Sequence, residues 1–177
     1  CMCFSPEGGD NLTQHIATGC ESMTVDVYSL PMIDGKTSRP ENLHCPLVHR
    51  LKHSSIVRSL DFDYEGSNLV SVCEDSSLHI WDVACEGVVV NLTAADLQKQ
   101  GSGAAKSSAW NTSKCIRYSP APKGDKNPDI SVAFASGGSE LVVREVKSER
   151  MLYQASHMGK AYSCAFSQDA ANKYLAS

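Results

Sequence analysis

The chain of 177 residues lacks the segments that would point to a membrane or nucleic-acid protein. It has no apolar run near the ~20 residues that a membrane-spanning helix needs, and no basic stretch followed by an apolar one at its start, as a secretory signal has. Its lysines and arginines are scattered, and the formal net charge is -4. Such a chain has no basic patch for a nucleic-acid backbone or an anionic membrane. We therefore expect a soluble protein that binds neither nucleic acid nor membrane directly.

The eight cysteines lack the close, regular spacing of a disulfide framework. Cys73 and Cys164 stand inside strand-like runs where serine or valine would fit equally well. Free buried thiols in a reducing compartment explain this pattern better than disulfides do. Three glycosylation sequons begin at Asn11, Asn91 and Asn111, but they would matter only in a secreted protein. We expect an intracellular location, in the cytoplasm or the nucleus.

The sequence does contain a repeated pattern of short β-rich runs. The clearest copy, residues 53–82, opens on a histidine and closes on Trp-Asp. Strands are predicted at Val57–Phe62 and Leu78–Asp82, with a tight acidic turn around Asp75 ahead of the second. This stretch resembles one full WD40 repeat, which corresponds to one four-stranded blade of a β-propeller.

The resemblance implies an all-β fold of the WD40 β-propeller type. The same spacing, laid on Tyr28 and Arg144, marks two weaker copies, and His157 starts another. We predict about three to three and a half four-stranded blades of a larger propeller, seven blades being common in this family. The predicted blades are 1–52 with an incomplete start, 53–92, 110–155, and an incomplete one at 157–177. Such a segment cannot close alone, so the rest of the propeller or a neighbouring chain is expected to cover its open edges.

Three insertions separate the predicted strands. Residues 31–46 and 119–128 are rich in Pro, Gly, Lys and Asp, which predicts surface loops. Residues 93–108 begin with good helix formers and then reach Gly-Ser-Gly, which predicts a short helix followed by a flexible return. The last strand of the third blade is predicted at 150–154.

The resemblance assigns a structural hydrogen-bond network to four residues of the clearest repeat: His53, Ser71, Asp75 and Trp81. A buried indole N–H, hydroxyl and imidazole each need a partner, and a chain of bonds ending on a carboxylate supplies one to each. Ser, His and Asp also form nucleophilic triads, but a triad needs an exposed nucleophile and a substrate pocket. We therefore predict no catalytic residues and no enzymatic activity.

A second cluster of candidate residues is found just before the clearest repeat. His44, Cys45 and His49 lie close to His53 in sequence. Zinc sites usually show paired ligands at short spacings from two separate segments, and that pattern is missing here. We predict no metal site and no cofactor.

The resemblance also implies where a partner would bind. Propellers of this family commonly hold short peptides on the rim that carries the blade-entry and tight-turn loops. The positions that correspond in this chain are Ile56, Arg58, Glu74, Lys160, Tyr162 and Glu21. An aliphatic residue, an aromatic one and charges of both signs suit an interface that anchors and orients a peptide.

These features predict a non-enzymatic scaffold for protein–protein interactions in an intracellular multiprotein complex. The partners would be proteins or peptides on the propeller rim. The alternative is a non-catalytic subunit that stabilises a methyltransferase or an RNA-processing complex. The two differ in what co-purifies, since the alternative needs one stoichiometric enzyme partner.

Overall fold

The structure is a computed structural model that describes residues 1–6, 14–30, 44–85, 87–92, 113–119, 131–136, 140–145, 151–156, 158–167 and 175–176. Within these ranges all regular secondary structure is β, as the repeat pattern predicts. None of the described residues forms a helix that could cross a membrane. The predicted helix in 93–108 and most of the two predicted loops lie outside the described residues.

The described strands form antiparallel sheets in which strand order follows chain order. Sheet A contains β1 (Met2–Phe4), β2 (Gln14–Gly19), β3 (Thr24–Leu30) and β4 (Leu47–Lys52). Sheet B contains β5 (Val57–Phe62), β6 (Asn68–Cys73), β7 (Leu78–Asp82) and β8 (Gly87–Leu92). Sheet C contains β9 (Ser113–Tyr118), β10 (Ser131–Ser136), β11 (Glu140–Glu145) and β12 (Met151–Ser156). Sheet D pairs β13 (Ala165–Phe166) with β14 (Leu175–Ala176).

Most strand bounds agree with the sequence pattern, and one differs. β5 and β7 span the predicted residues, whereas β12 begins one residue later and ends two residues later than the predicted 150–154. β12 takes its bounds from pairing with β11, and that pairing contains a register shift between Val143 and Arg144. Pairing of this kind is set across the sheet and cannot be read from the local sequence.

Sheet B is buried on both faces because its strands are apolar on both. Side chains alternate along a strand, so Leu69 and Ser71 of β6 point to one face while Val70 and Val72 point to the other. All four are buried, with exposures of 0 to 1%. The turn between β5 and β6 holds Gly66 at φ +72°, the left-handed region that glycine occupies without strain.

The sheets stack face to face in chain order. One apolar cluster joins sheets A and B, with Val25, Val27 and Leu51 packed against residues such as Leu69 and Trp81. A second joins sheets B and C, and includes Val70, Val72, Leu78, Ile80, Ile116 and Tyr118. A third joins sheet C to the segment that leads into sheet D, and contains Cys115, Leu141, Val143, Ala161 and Cys164. The core is therefore a series of layers between sheets.

The first strands of consecutive sheets lie next to one another. β1 contacts β5, β5 contacts β9, and β9 contacts β13. Side chains of β5 accept hydrogen bonds from the backbone of β9: Ser59 Oγ from Ile116 N at 3.2 Å, and Asp61 Oδ2 from Tyr118 N at 2.9 Å. These bonds satisfy N–H groups on the edge of β9 that would otherwise be buried without partners.

Candidate functional site

Three residues of the predicted network are joined by hydrogen bonds on the face of sheet B that packs on sheet A. Nε2 of His53 lies 2.7 Å from the hydroxyl of Ser71, and the indole Nε1 of Trp81 donates to the same hydroxyl at 3.3 Å. Ser71 on β6 and Trp81 on β7 share a face because Ser71 pairs with His79, two residues before Trp81. His53 reaches them from the connection between β4 and β5.

The partners of His53 fix the direction of these hydrogen bonds. The carbonyl oxygen of Leu51 lies 3.2 Å from Nδ1 and can only accept, so we assign the ring proton to Nδ1. Burial, together with neighbouring His79, lowers the pKa of His53 to about 4, so the ring is neutral at pH 7. Nε2 therefore accepts from the Ser71 hydroxyl, whose oxygen accepts from Trp81.

The carboxylate of Asp75 links the β6–β7 turn to the segment before β5. It accepts from the hydroxyl of Ser54 at 3.0 Å, and from the backbone N and hydroxyl of Ser77 at 3.0 and 2.6 Å. Partial burial alone would raise its pKa, but the hydrogen bonds from Ser77 and Ser54 lower it. Asp75 thus holds the residue that follows His53, while the hydrogen bonds of the His53 ring go to Leu51 and Ser71.

Ser71 has a geometry that suits a structural role. Its side chain is fully buried, and its hydroxyl is held between an imidazole and an indole. A nucleophilic serine must reach a substrate, which a hydroxyl enclosed in this way does not do.

Three of the predicted rim residues meet at one end of sheet B. The guanidinium of Arg58 forms an ion pair with the carboxylate of Glu74 at 2.7 Å, and both side chains are well exposed. The backbone N of Glu74 donates to the carbonyl oxygen of Ile56 at 2.8 Å. The entry segment and the β6–β7 turn therefore form one continuous surface. We name Ile56, Arg58 and Glu74 the rim group.

Glu21 lies on the next sheet at the same end. It is exposed in the turn between β2 and β3, where Met23 adopts φ 57°. The carbonyl oxygen of Met23 accepts from the backbone N of His53 at 2.9 Å, so this turn adjoins the entry segment of sheet B. The surface of the rim group thus continues onto sheet A.

Lys160 and Tyr162 lie farther from the rim group. Both are exposed in the segment that precedes β13, Tyr162 by 63%. Sheet C stands between that segment and sheet B. A partner that contacted these two residues and the rim group together would have to extend across sheet C.

Cys73 and His79 complete the face that carries the network, although the sequence reasoning did not single them out together. The rings of His53 and His79 meet edge to face with centroids 4.9 Å apart, and the ring of His79 stacks near that of Trp81 at 5.9 Å. Burial raises the pKa of the Cys73 thiol to about 11 and lowers the pKa of His79. Alternation along β6 and β7 was the available signal, since Ser71 and Cys73 are two residues apart, as are His79 and Trp81.

The described residues define a class, an all-β architecture in which antiparallel four-stranded sheets stack in chain order. The family comparison agrees, because residues 45–82 match the model of the WD40 family, described as WD domain, G-beta repeat. The chain therefore contains a WD40 repeat, as the sequence predicted, and the matched segment runs from two residues before β4 to the end of β7. WD40 domains are generally non-catalytic scaffolds that bind protein partners. A search of curated proteins found no match to this chain.

Proposed function

We propose that this chain forms consecutive blades of a WD40 β-propeller and acts as a non-enzymatic scaffold in an intracellular multiprotein complex. Sheets A, B and C would each be one blade, and sheet D the start of another. The observation that carries the proposal is the contact between first strands, β1 with β5, β5 with β9 and β9 with β13. In a propeller the first strand of each blade lies nearest the central axis, so consecutive first strands are neighbours.

The outward face of sheet A supports the idea that further protein covers this segment. Met2 and Phe4 alternate with Cys3, whose side chain packs toward sheet B. Met2 is therefore on the opposite face with Phe4, and the two are 65% and 53% exposed. Large apolar side chains exposed together are typical of a face that another element covers. Another blade or a neighbouring chain would bury them.

The rim group supports partner binding at the end of sheet B where the entry segment meets the β6–β7 turn. The Arg58–Glu74 ion pair offers both charges to a ligand, and Ile56 adds an apolar contact beside it. Exposed pairs of this kind contribute little to stability, about 0–1 kcal/mol, so partner contacts can replace them at low cost. Glu21, Lys160 and Tyr162 would extend the same binding surface.

The intracellular assignment rests on the thiols. All eight cysteines are free, and Cys73, Cys115 and Cys164 are buried. Free thiols persist in reducing compartments. The propeller would accordingly work in the cytoplasm or the nucleus.

The experiment compares affinity capture by the tagged full chain and by rim variants. Arg58→Ala combined with Tyr162→Ala, and separately Glu74→Ala, should reduce the yield of captured proteins while the circular dichroism spectrum stays the same. The matched control is Glu65→Ala, because Glu65 is also an exposed acidic turn residue but lies in the β5–β6 turn, at the other end of sheet B.

Equal capture by Glu74→Ala and Glu65→Ala, with the double variant also at full yield, would contradict binding at this rim. The identity of the captured proteins separates the two forms of the proposal. A varied set of partners fits a general scaffold. A single methyltransferase or RNA-processing enzyme in equal amount fits the stabilising subunit.

A further inference from the structure

A thiol and two imidazoles lie together on the face of sheet B that packs on sheet A. Cys73 is the last residue of β6, His79 is the second residue of β7, and His53 lies in the connection before β5. Each residue offers one ligand atom, and the three atoms lie within 4.8 Å of one another. We propose that His53, Cys73 and His79 form a zinc-binding site between sheets A and B.

The polar atoms of His79 give independent support for a ligand. His79 is only 8% exposed, and its Nδ1 is buried without a hydrogen-bond partner in the part of the chain that the structure describes. A buried polar atom without a partner destabilises the fold. Metal coordination would occupy a lone pair of this ring and give the buried histidine a role in binding.

His53 is already oriented in the way that metal-bound histidines usually are. Its Nδ1 proton is directed to the carbonyl oxygen of Leu51, which leaves the lone pair of Nε2 as the donor to a metal. That lone pair accepts from Ser71, but the Ser71 hydroxyl has a second acceptor, the carbonyl oxygen of His79 at 3.5 Å. A hydroxyl rotation would therefore free Nε2 without leaving Ser71 unbonded.

The ligand types select the metal. One thiolate and two imidazoles suit zinc and exclude the hard cations Ca²⁺ and Mg²⁺, which prefer oxygen ligands. Tetrahedral zinc, with bonds of about 2.3 Å to sulfur and about 2.0–2.1 Å to nitrogen, holds its ligands about 3.3–3.6 Å apart. Side-chain rotations that shorten the separations by roughly 1 Å would therefore complete three of the four positions, with water in the fourth.

Burial and charge around the cluster are compatible with this cation. Cys73 is fully buried, whereas His53 is half-buried and provides a side open to solvent. Zinc with one thiolate keeps one net positive charge. The carboxylate of Asp75 is close enough to interact electrostatically with Cys73, His53 and His79. It would therefore stabilise the bound cation without being a ligand.

The test is a Co²⁺ titration of the full chain, purified with a non-thiol reductant and stripped of metal. A thiolate ligand should give a charge-transfer band in the near ultraviolet, and tetrahedral geometry should give intense visible bands. We expect both to saturate at one Co²⁺ per chain and to disappear when Zn²⁺ is added. Cys73→Ala should abolish the charge-transfer band, and His79→Gln should weaken binding at least about tenfold.

Cys115→Ala is the matched control, because it removes a similarly buried thiol outside the cluster and should bind Co²⁺ as the unaltered chain does. A second measurement needs no variant. Zn²⁺ should slow the alkylation of Cys73, as measured by peptide mass spectrometry, and should leave the alkylation rate of Cys164 unchanged. A charge-transfer band that persists in Cys73→Ala, or alkylation of Cys73 unchanged by Zn²⁺, would overturn the site. None of these readouts involves partner capture, so they are independent of the proposed scaffold function.

Discussion

Replacing Ser71 by alanine tests the hydrogen-bond network at its centre. In Ser71→Ala the indole N–H of Trp81 loses its acceptor and Nε2 of His53 loses its donor, since both bonds end on the same hydroxyl. Ser71 is fully buried and Trp81 is 7% exposed, so water cannot easily replace the missing oxygen. The substitution therefore removes two interactions with a single atom.

The size of the effect follows from the burial of each partner. An unsatisfied buried donor costs about 1–3 kcal/mol, which applies to the indole of Trp81. The ring of His53 is half-buried, and losing its bond costs about 0.5–1.5 kcal/mol. We expect Ser71→Ala to lower the free energy of unfolding by the sum of the two, about 1.5–4.5 kcal/mol. Equilibrium unfolding in urea, followed by circular dichroism, measures this change.

A double-mutant cycle shows whether the loss arises from the network. Trp81→Phe removes the indole N–H but keeps an aromatic ring, so in that background Ser71→Ala should cost about 1–3 kcal/mol less. The control is Ser22→Ala, an exposed serine that should change stability by less than about 0.5 kcal/mol. A Ser71→Ala loss no larger than that control, or equal losses in the two backgrounds, would refute the reasoning.

Burial and backbone geometry predict three further outcomes. Burial raises the pKa of Asp61 to about 6 from 3.8, so the stability linked to this group is complete below pH 3.8 and declines as the pH rises through 6. In the unaltered chain the free energy of unfolding in urea should therefore fall by about 2–3 kcal/mol between pH 4 and pH 7.5. Asp61→Asn, which keeps an acceptor for Tyr118 N, should remove this fall. Gly66→Ala should cost about 1–2 kcal/mol because of its φ of +72°, and Gly87→Ala, with open space around it, should cost little. Under native conditions a thiol reagent should label the exposed cysteines, Cys1, Cys20 and Cys85, faster than the buried Cys73, Cys115 and Cys164, as mass spectrometry would show.

The clearest repeat was predictable because its signals are local. At least half of the residues in the runs Val57–Phe62 and Leu78–Asp82 are apolar or aromatic, and both runs form strands. The acidic turn before the second run is also a local signal. The strand predicted at 150–154 was displaced because the end of β12 depends on pairing with β11.

The site was only partly predictable because it depends on register. Arg58 and Glu74 are 16 residues apart and meet only when β5 and β6 pair, across a register shift between Val57 and Ser59. The resemblance to WD40 repeats placed these two residues on the same rim, whereas composition and periodicity alone could not predict this. The resemblance did not predict the partners of Asp75, since its carboxylate accepts from Ser77 in its own turn and from Ser54 in the segment before β5.

The β6–β7 hairpin brings two different kinds of site next to each other along the chain. Side chains alternate, so Cys73 points into the layer between sheets A and B while the adjacent Glu74 points to solvent and pairs with Arg58. A deletion in this hairpin would disturb both, whereas substitutions at Cys73 and Glu74 act on opposite sides of the backbone. If the cluster binds zinc and the rim binds a partner, Cys73→Ala should lose metal and Glu74→Ala should lose capture. Variants of the two kinds can therefore be compared within one folded hairpin.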